Sequence, residues 1–384
     1  MSLEITVSKN ELLTKLKAVS KVINTPNKVN SVLENFLFEI LTSFDVTGAN
    51  QSGNITATID CNFSEPADKL SFCVDSKTML DGLRELPEQP ITLVFEKKGS
   101  VYSTTILHQS GKYKIQTSSN EGFSIVKNAD VSSKLVKIRS TDFLRGIKTV
   151  HEFASNDELR PIMMGIYIHS VKGNLSFCAS TGSIMAVLDF VPEGVDRLDD
   201  LFWNDFEIVL PSKLARILID LINKETEIEL EIGEKNVTIQ FGDIKIVYRL
   251  IDGAYPNYRS VIPTNNTKVL IANTSEMISA LRRTSVFADR PKSPVQIHAE
   301  KTNMNLINID VDVTQFSDEN IPATFTDSDF KIAFCIDALS KCMETITTDE
   351  FRMSFSEPMR ACLIKPDDVN IGLTALIMPT TINI

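Results

Sequence analysis

One unit recurs six times along this chain, and that recurrence restricts the fold more than any other feature of the sequence. Each occurrence opens on a short alternating strand: LEITV at 3, LSFCV at 70, KLVKI at 134, FEIVL at 206, KVLIA at 268 and FKIAF at 330, with starts 67, 64, 72, 62 and 62 residues apart. A polar or proline-containing stop follows, then an amphipathic stretch, then strand pairs divided by turn residues, as in IELEIGEKNVTIQFGDIKIVYRL. One helix over three or four strands buries little apolar surface by itself, so neighbouring units are expected to pair. The expected fold is an α+β chain of three similar domains, 1–131, 132–263 and 264–384, each built from two helix-plus-antiparallel-sheet units.

The amphipathic stretches carry their own start signals. Ser8 with Glu11 has the spacing of a capping box, and Asn273 with Glu276 repeats that spacing. In the first stretch Leu12, Leu13, Leu16 and Val19 recur at helical spacing, leaving Lys15, Lys17 and Lys21 on other faces. The net charge of −11 argues against nucleic-acid binding by a broad basic surface. That charge is unevenly spread. The six helical windows (9–22, 76–86, 140–155, 211–224, 274–290 and 336–347) hold 15 Lys and Arg against 10 Asp and Glu, leaving −16 for the rest. Helix surfaces favour lysine in general, so the surplus gains meaning only through geometry. Six helices side by side at about 9.5 Å close a ring roughly 18 Å across with roughly 7 Å clear, narrower than the ~12 Å of a major groove. Twelve helices from two chains leave roughly 25 Å free, which admits a duplex.

Enzyme chemistry finds little support in the residues. GxGxxG and GxxxxGK[ST] are both absent, so the usual phosphate-cradling loops are missing. His108, His151, His169 and His298 show no close ligand spacing, and Ser180 and Ser183 lack the GxSxG arrangement of a nucleophile elbow. Asp310 and Asp312 share a strand face and read as its solvated side rather than as a cation site. Six scattered cysteines without a CxxC pair fit reduced, mostly buried thiols and a cytosolic protein. No run of about 18 apolar residues suits a membrane span, and no catalytic residue, metal or cofactor is expected.

Between the fourth and fifth units stands LIDGAYPNYRSVIP, residues 250–263, where Asp252 and Gly253 suit a turn and Pro256 restricts the path onward. This stretch fits the pattern DGxxPxYxxxxP. Together with NELLTKLKAVSKVI, LRELPE, LRPIMMGIYI, ASTGSIMAVL and the terminal ALIMPTT, it resembles the beta sliding clamp family, the processivity subunits of bacterial DNA polymerase III. The resemblance implies a DNA-clamp fold assembling as a head-to-tail homodimeric ring, helices inside and sheets outside. Such a ring encircles double-stranded DNA without sequence preference and tethers the polymerase III catalytic subunit, the clamp loader and other clamp-motif proteins. No reaction occurs on it, and no membrane is involved.

The family's partners dock a short peptide, usually a glutamine followed by leucine and phenylalanine, in a cleft. By position its walls here are Met163, Ser180, Gly182, Met185, Pro256, Val261, Leu376, Met378 and Pro379, with Ser183, Ile184, Ser260, Thr380 and Thr381 on the rim. Methionines suit a site with several partners because they repack easily. The family commonly places histidine and arginine where Ser183 and Ile184 stand, arginine at Ser260, and methionine and arginine at Thr380 and Thr381. The rim is thus expected to be less basic than usual. For DNA, Lys77, Arg84 and Lys213 match family positions, and Lys28 lies in the TPNKVN loop. Lys15, Lys17, Lys148, Arg216, Arg282 and Lys341 are candidates by helix membership. The competing expectation is a non-enzymatic protein-binding scaffold of duplicated α+β domains without a DNA role. Replacing Met185 or Met378 by a charged residue is expected to abolish peptide binding and leave the ring assembled.

Overall fold

The computed structural model describes residues 2–24, 30–61, 63, 69–98, 101–127, 133–192, 205–222, 227–288, 293–310 and 315–380. Six times the chain runs strand, helix, then a meander. The first repeat is β1 (Ser2–Ser8), α1 (Lys9–Ser20), β2 (Asn35–Ile40), β3 (Phe44–Ala49) and β4 (Gly53–Ile59). The second is β5 (Leu70–Asp75), α2 (Ser76–Glu85), β6 (Pro90–Lys98), β7 (Val101–His108), β8 (Gly111–Ile115) and the short β9 (Thr117–Ser118). The third is β10 (Lys134–Arg139), α3 (Ser140–Val150), β11 (Gly165–Val171), β12 (Asn174–Ser180) and β13 (Ile184–Phe190). The fourth is β14 (Phe206–Pro211), α4 (Ser212–Leu221), β15 (Glu227–Ile232), β16 (Asn236–Phe241) and β17 (Ile244–Arg249). The fifth is β18 (Lys268–Asn273), α5 (Thr274–Val286), β19 (Pro294–Ala299), β20 (Asn303–Asp310) and β21 (Gln315–Phe325). The sixth is β22 (Phe330–Cys335), α6 (Ile336–Glu344), β23 (Glu350–Phe355), β24 (Cys362–Pro366) and β25 (Leu373–Ile377).

The helices begin where the sequence places their stops. Ser8 Oγ accepts from the Glu11 amide at 3.5 Å, Asp75 Oδ1 from Thr78 at 2.7 Å and Asn273 Oδ1 from Glu276 at 3.0 Å, each satisfying one otherwise orphaned N–H. Leu12, Leu13, Leu16 and Val19 are buried as their spacing requires.

Pairing between strands follows a rule that alternation alone does not reveal. Every opening strand joins the meander of its partner repeat: β1 pairs β6 while β5 pairs β2, β10 pairs β15 while β14 pairs β11, and β18 pairs β23 while β22 pairs β19. Two further pairings, β17 with β4 and β13 with β25, extend these sheets. Among the described residues the outcome is a four-stranded, a nine-stranded and a twelve-stranded sheet.

The chain forms two compact units, Met1–Thr141 with Asp220–Leu250, and Asp142–Ile219 with Ile251–Ile384. In the first, α1 packs against α2, and Phe38, Phe44, Phe72 and Phe95 meet at ring separations of 5.2–6.2 Å in tilted or edge-on contacts. In the second, α5 packs against α6, and Phe325, Phe330 and Phe355 form a comparable group. Cys73, Cys178, Cys342 and Cys362 are buried and none of the six cysteines is in a disulfide, with burial pushing Cys342 up to about 12. No helix among the described residues is long and apolar enough to cross a membrane. Of the two carboxylates weighed as a cation site, Asp312 lies outside the described residues.

Candidate peptide-binding cleft and basic helix faces

The cleft lies wholly within the second unit. Its floor is the face of β12, β13, β25 and β24 that carries Cys178, Met185, Val187, Leu376 and Leu363, and Tyr258 closes over it. Register explains that composition: Cys178 stands opposite Val187, Met185 opposite Leu376, and Leu376 opposite Leu363, so one parity of each strand reaches this face. Tyr167, Tyr255, Ile262 and Ala361 pack around the cluster, and Tyr167 stacks on Tyr255 with centroids 4.9 Å apart and planes 2° from parallel. Residues 251–262 thus form a lid over the sheet, ending in a 3-10 turn at Tyr258–Val261.

Three other segments complete the rim. The Gly182 turn is held by Ser180 Oγ, which accepts from the Gly182 amide at 3.0 Å and donates to the Ile184 carbonyl at 2.9 Å. A side chain added at Gly182 would sit 3.2 Å from the Arg160 guanidinium, which places the Pro161–Met164 turn beside it. The Met378 amide donates to the Ser183 carbonyl at 2.8 Å, and the Thr380 amide to Ala333 at 2.8 Å, fixing the chain's last described residues alongside. Gly253, at a φ of +116°, turns the chain so that its own open side lies 3.7 Å from Ile162.

These contacts bring together the residues expected at the site and revise the part each takes. Val261 at 58% and Met378 at 43% exposure are the accessible apolar groups, while Pro256, Gly182, Ser183 and Ser260 are exposed and Met163 and Pro379 half-buried. Met185, expected as a cleft wall where a charge would abolish peptide binding and leave the ring assembled, is only 2% exposed under the lid and belongs to the floor, so charge there would strike the core. Ile184, expected on the rim, is buried on the opposite face of β13 because it has the other parity; it offers the site only backbone. The Ser260 hydroxyl turns back to donate to the Asn257 carbonyl at 2.7 Å. Thr380 is half-buried, and Thr381 lies outside the described residues.

Groups not singled out from the sequence brace the lid. Arg259 donates to both carboxylate oxygens of Asp189, at 3.2 and 3.0 Å, and to Ser176 Oγ at 3.3 Å. Tyr258 Oη lies 2.9 Å from His169 Nε2, and Tyr167 donates to Glu207 at 2.6 Å. Burial pushes the Tyr258 hydroxyl up to about 12, and burial followed by the nearby Arg259 charge lowers His169. The signal for Arg160 stood in LRPIMM, where the arginine precedes the turn that carries Met163.

On the helices, Lys77, Arg84, Lys148, Lys213, Arg216, Arg282 and Lys341 are all exposed. Arg84 bonds Asp81 at 2.9 Å, and Arg282 approaches Glu344 at 3.8 Å. Lys15 is largely buried, with its ammonium 2.9 Å from Asp243 and 3.6 Å from Glu11 while it donates to the Thr58 carbonyl, so it serves packing. Lys28 lies outside the described residues.

A repeated α+β scaffold with basic helix faces and a lidded apolar cleft defines a binding protein of the DNA-clamp class. Three family models cover nearly the whole chain: the DNA polymerase III beta subunit N-terminal domain over residues 3–127, the central domain over 137–257 and the C-terminal domain over 259–381. The chain belongs to the DNA polymerase III beta subunit family. A Synechocystis protein named beta sliding clamp is 23% identical over 391 residues, spanning 96% of this chain and 97% of its own. Among solved structures, the Thermotoga maritima DNA polymerase III beta subunit superposes with a TM-score of 0.86 at 21% identity, covering 99% of this chain and all of the other. A Pseudomonas aeruginosa sliding clamp bound to griselimycin gives 0.88 at 16% identity, again over the full length of both.

Proposed function

We infer that this chain works as a non-catalytic sliding clamp, a polymerase processivity factor whose homodimeric ring encircles duplex DNA in the cytoplasm. The observation that carries this reading is the sixfold strand-helix-meander repeat, because it presents six helices of one kind, basic by surplus, from one chain. Two chains supply twelve, and twelve helices leave roughly 25 Å of clearance. Reciprocal exchange of opening strands supports three domains at 1–131, 132–263 and 264–384. Contact with DNA falls to Lys77, Arg84, Lys148, Lys213, Arg216, Arg282 and Lys341, together with Lys28 of the TPNKVN stretch. Flexible side chains on phosphates carry no sequence information, as a sliding tether requires.

Partners dock as linear peptides on the cleft, where Val261, Met378 and Pro256 receive apolar side chains and the exposed backbone at Gly182 and Ser183 aligns the peptide. The polymerase catalytic subunit and the clamp loader are among them. The test is topological: loaded protein should stay on nicked circular DNA and leave when the circle is cut. Equal retention on both forms would remove encirclement from the account.

A further inference from the structure

The rim of the cleft has an unusual charge economy. Two arginines stand on it, and each is held by a carboxylate of its own: Arg160 Nε donates to Asp157 at 2.8 Å, and Arg259 grips Asp189 with two bonds. Arg160 abuts Gly182 and Arg259 lies in the lid. Two further exposed carboxylates, Glu158 and Asp252, sit in the same segments. The exposed Ser183 and Ser260 add no charge to the rim, and the Ser260 hydroxyl is turned onto its own turn.

We propose that the cleft selects apolar linear peptides with basic flanks and discriminates against acidic ones. This deepens the peptide-docking reading above and rests on it. Both guanidiniums already have a bonded carboxylate, so an acidic flank reaching them must displace that partner and desolvate beside Glu158 and Asp252. A lysine or arginine flank meets those same two carboxylates with no partner to displace. A field of this kind is felt over about one Debye length, about 8–10 Å at moderate salt, and fades as salt is raised. For two flanking residues, exposed pairs of this kind amount to about a two- to thirtyfold difference in affinity.

The experiment titrates the full chain with three fluorescent peptides that share one Gln-Leu-Phe core and differ only in Lys, Ser or Asp flanks. Tightest binding by the Lys-flanked peptide, weakest by the Asp-flanked one, and a gap that narrows as salt is raised would support the proposal. In the double variant Glu158→Gln, Asp252→Asn the gap should shrink while the Ser-flanked peptide binds as before. An Asp-flanked peptide that binds as tightly as the Lys-flanked one, with the Ser-flanked peptide also bound, overturns the selectivity and leaves the cleft standing. Failure of all three peptides to bind overturns the cleft reading and the selectivity together.

Discussion

Gly372 shows how much a single position can decide. It takes a φ of +73°, and a Cβ added there would lie 1.8 Å from the Asp189 carbonyl oxygen, whose amide donates to the Gly372 carbonyl at 3.0 Å. Gly372→Ala therefore combines left-handed strain of about 1–3 kcal/mol with a backbone collision next to the β13–β25 seam, and should lower the melting temperature measurably. A variant melting with the wild type would mean that the turn relaxes freely. Two of the cleft's three methionines should separate in a similar way. Met378→Asp is expected to weaken peptide binding more than tenfold, about 1.4 kcal/mol, with the melting temperature unchanged, whereas Met185→Asp should destabilise the fold by about 3 kcal/mol or more. Calorimetric melting beside peptide titration checks both, and a stable Met185→Asp protein would contradict the placement of that residue on the floor. From the sequence both methionines looked alike, because residue type shows that a site is apolar and not which member of a strand the lid covers. Ile184 was misplaced for a related reason: its parity is fixed by register against β25, nearly two hundred positions away in the chain.

At the scale of elements, the helices and their opening strands were legible because capping and periodicity are local properties. The reciprocal exchange of opening strands was not, since choosing β6 over β2 for β1 depends on contacts more than eighty residues distant. Nor was the lid's support, in which His169 on β11 faces Tyr258 and Arg259 from the lid, with Tyr167 on its own strand, Ser176 and Cys178 on β12, Asp189 on β13 and Glu207 on β14. Burial and Arg259 hold His169 below the ordinary histidine value of about 6.5, so in that window the unfolded chain binds more protons than the folded one. Its contribution to stability is complete above about pH 6.5 and is lost as pH falls toward the folded value. The lid should accordingly loosen in mild acid, with peptide affinity and melting temperature both lower near pH 5.5 than near pH 7.5. His169→Gln keeps a polar group near Tyr258 and removes the titration, so its acid-side decline should be shallower. An identical decline in the variant would assign the effect to other groups.

For the whole molecule, a ring of two chains requires two complementary edges on each, used once per copy so that the assembly closes. The described residues offer such a pair. β8 ends the four-stranded sheet and pairs only with β7, while β21 meets β18 only over Ala323–Phe325, which leaves the outer side of its earlier residues without a strand. Unpaired strand edges invite another strand, and large exposed apolar groups stand on both, Tyr113 at 47% and Phe316 at 59% exposure. Their charges are opposite: Lys112 and Lys114 flank Tyr113, and Asp318 follows Phe316, while the next carboxylate, Glu319, is taken up by Arg283 at 2.7 Å. A head-to-tail dimer that joins β8 of one copy to β21 of the next makes a specific demand on charge. Reversing it with Lys112→Glu and Lys114→Glu should weaken dimerisation at least tenfold, about 1.4 kcal/mol, and adding Asp318→Lys should restore part of the loss. Sedimentation velocity over a concentration series reads the dissociation constant directly. The rescue carries the argument, because a merely destabilised fold would not regain affinity from a second charge change in another sheet; a dimer indifferent to both sets of changes would place the ring contacts elsewhere.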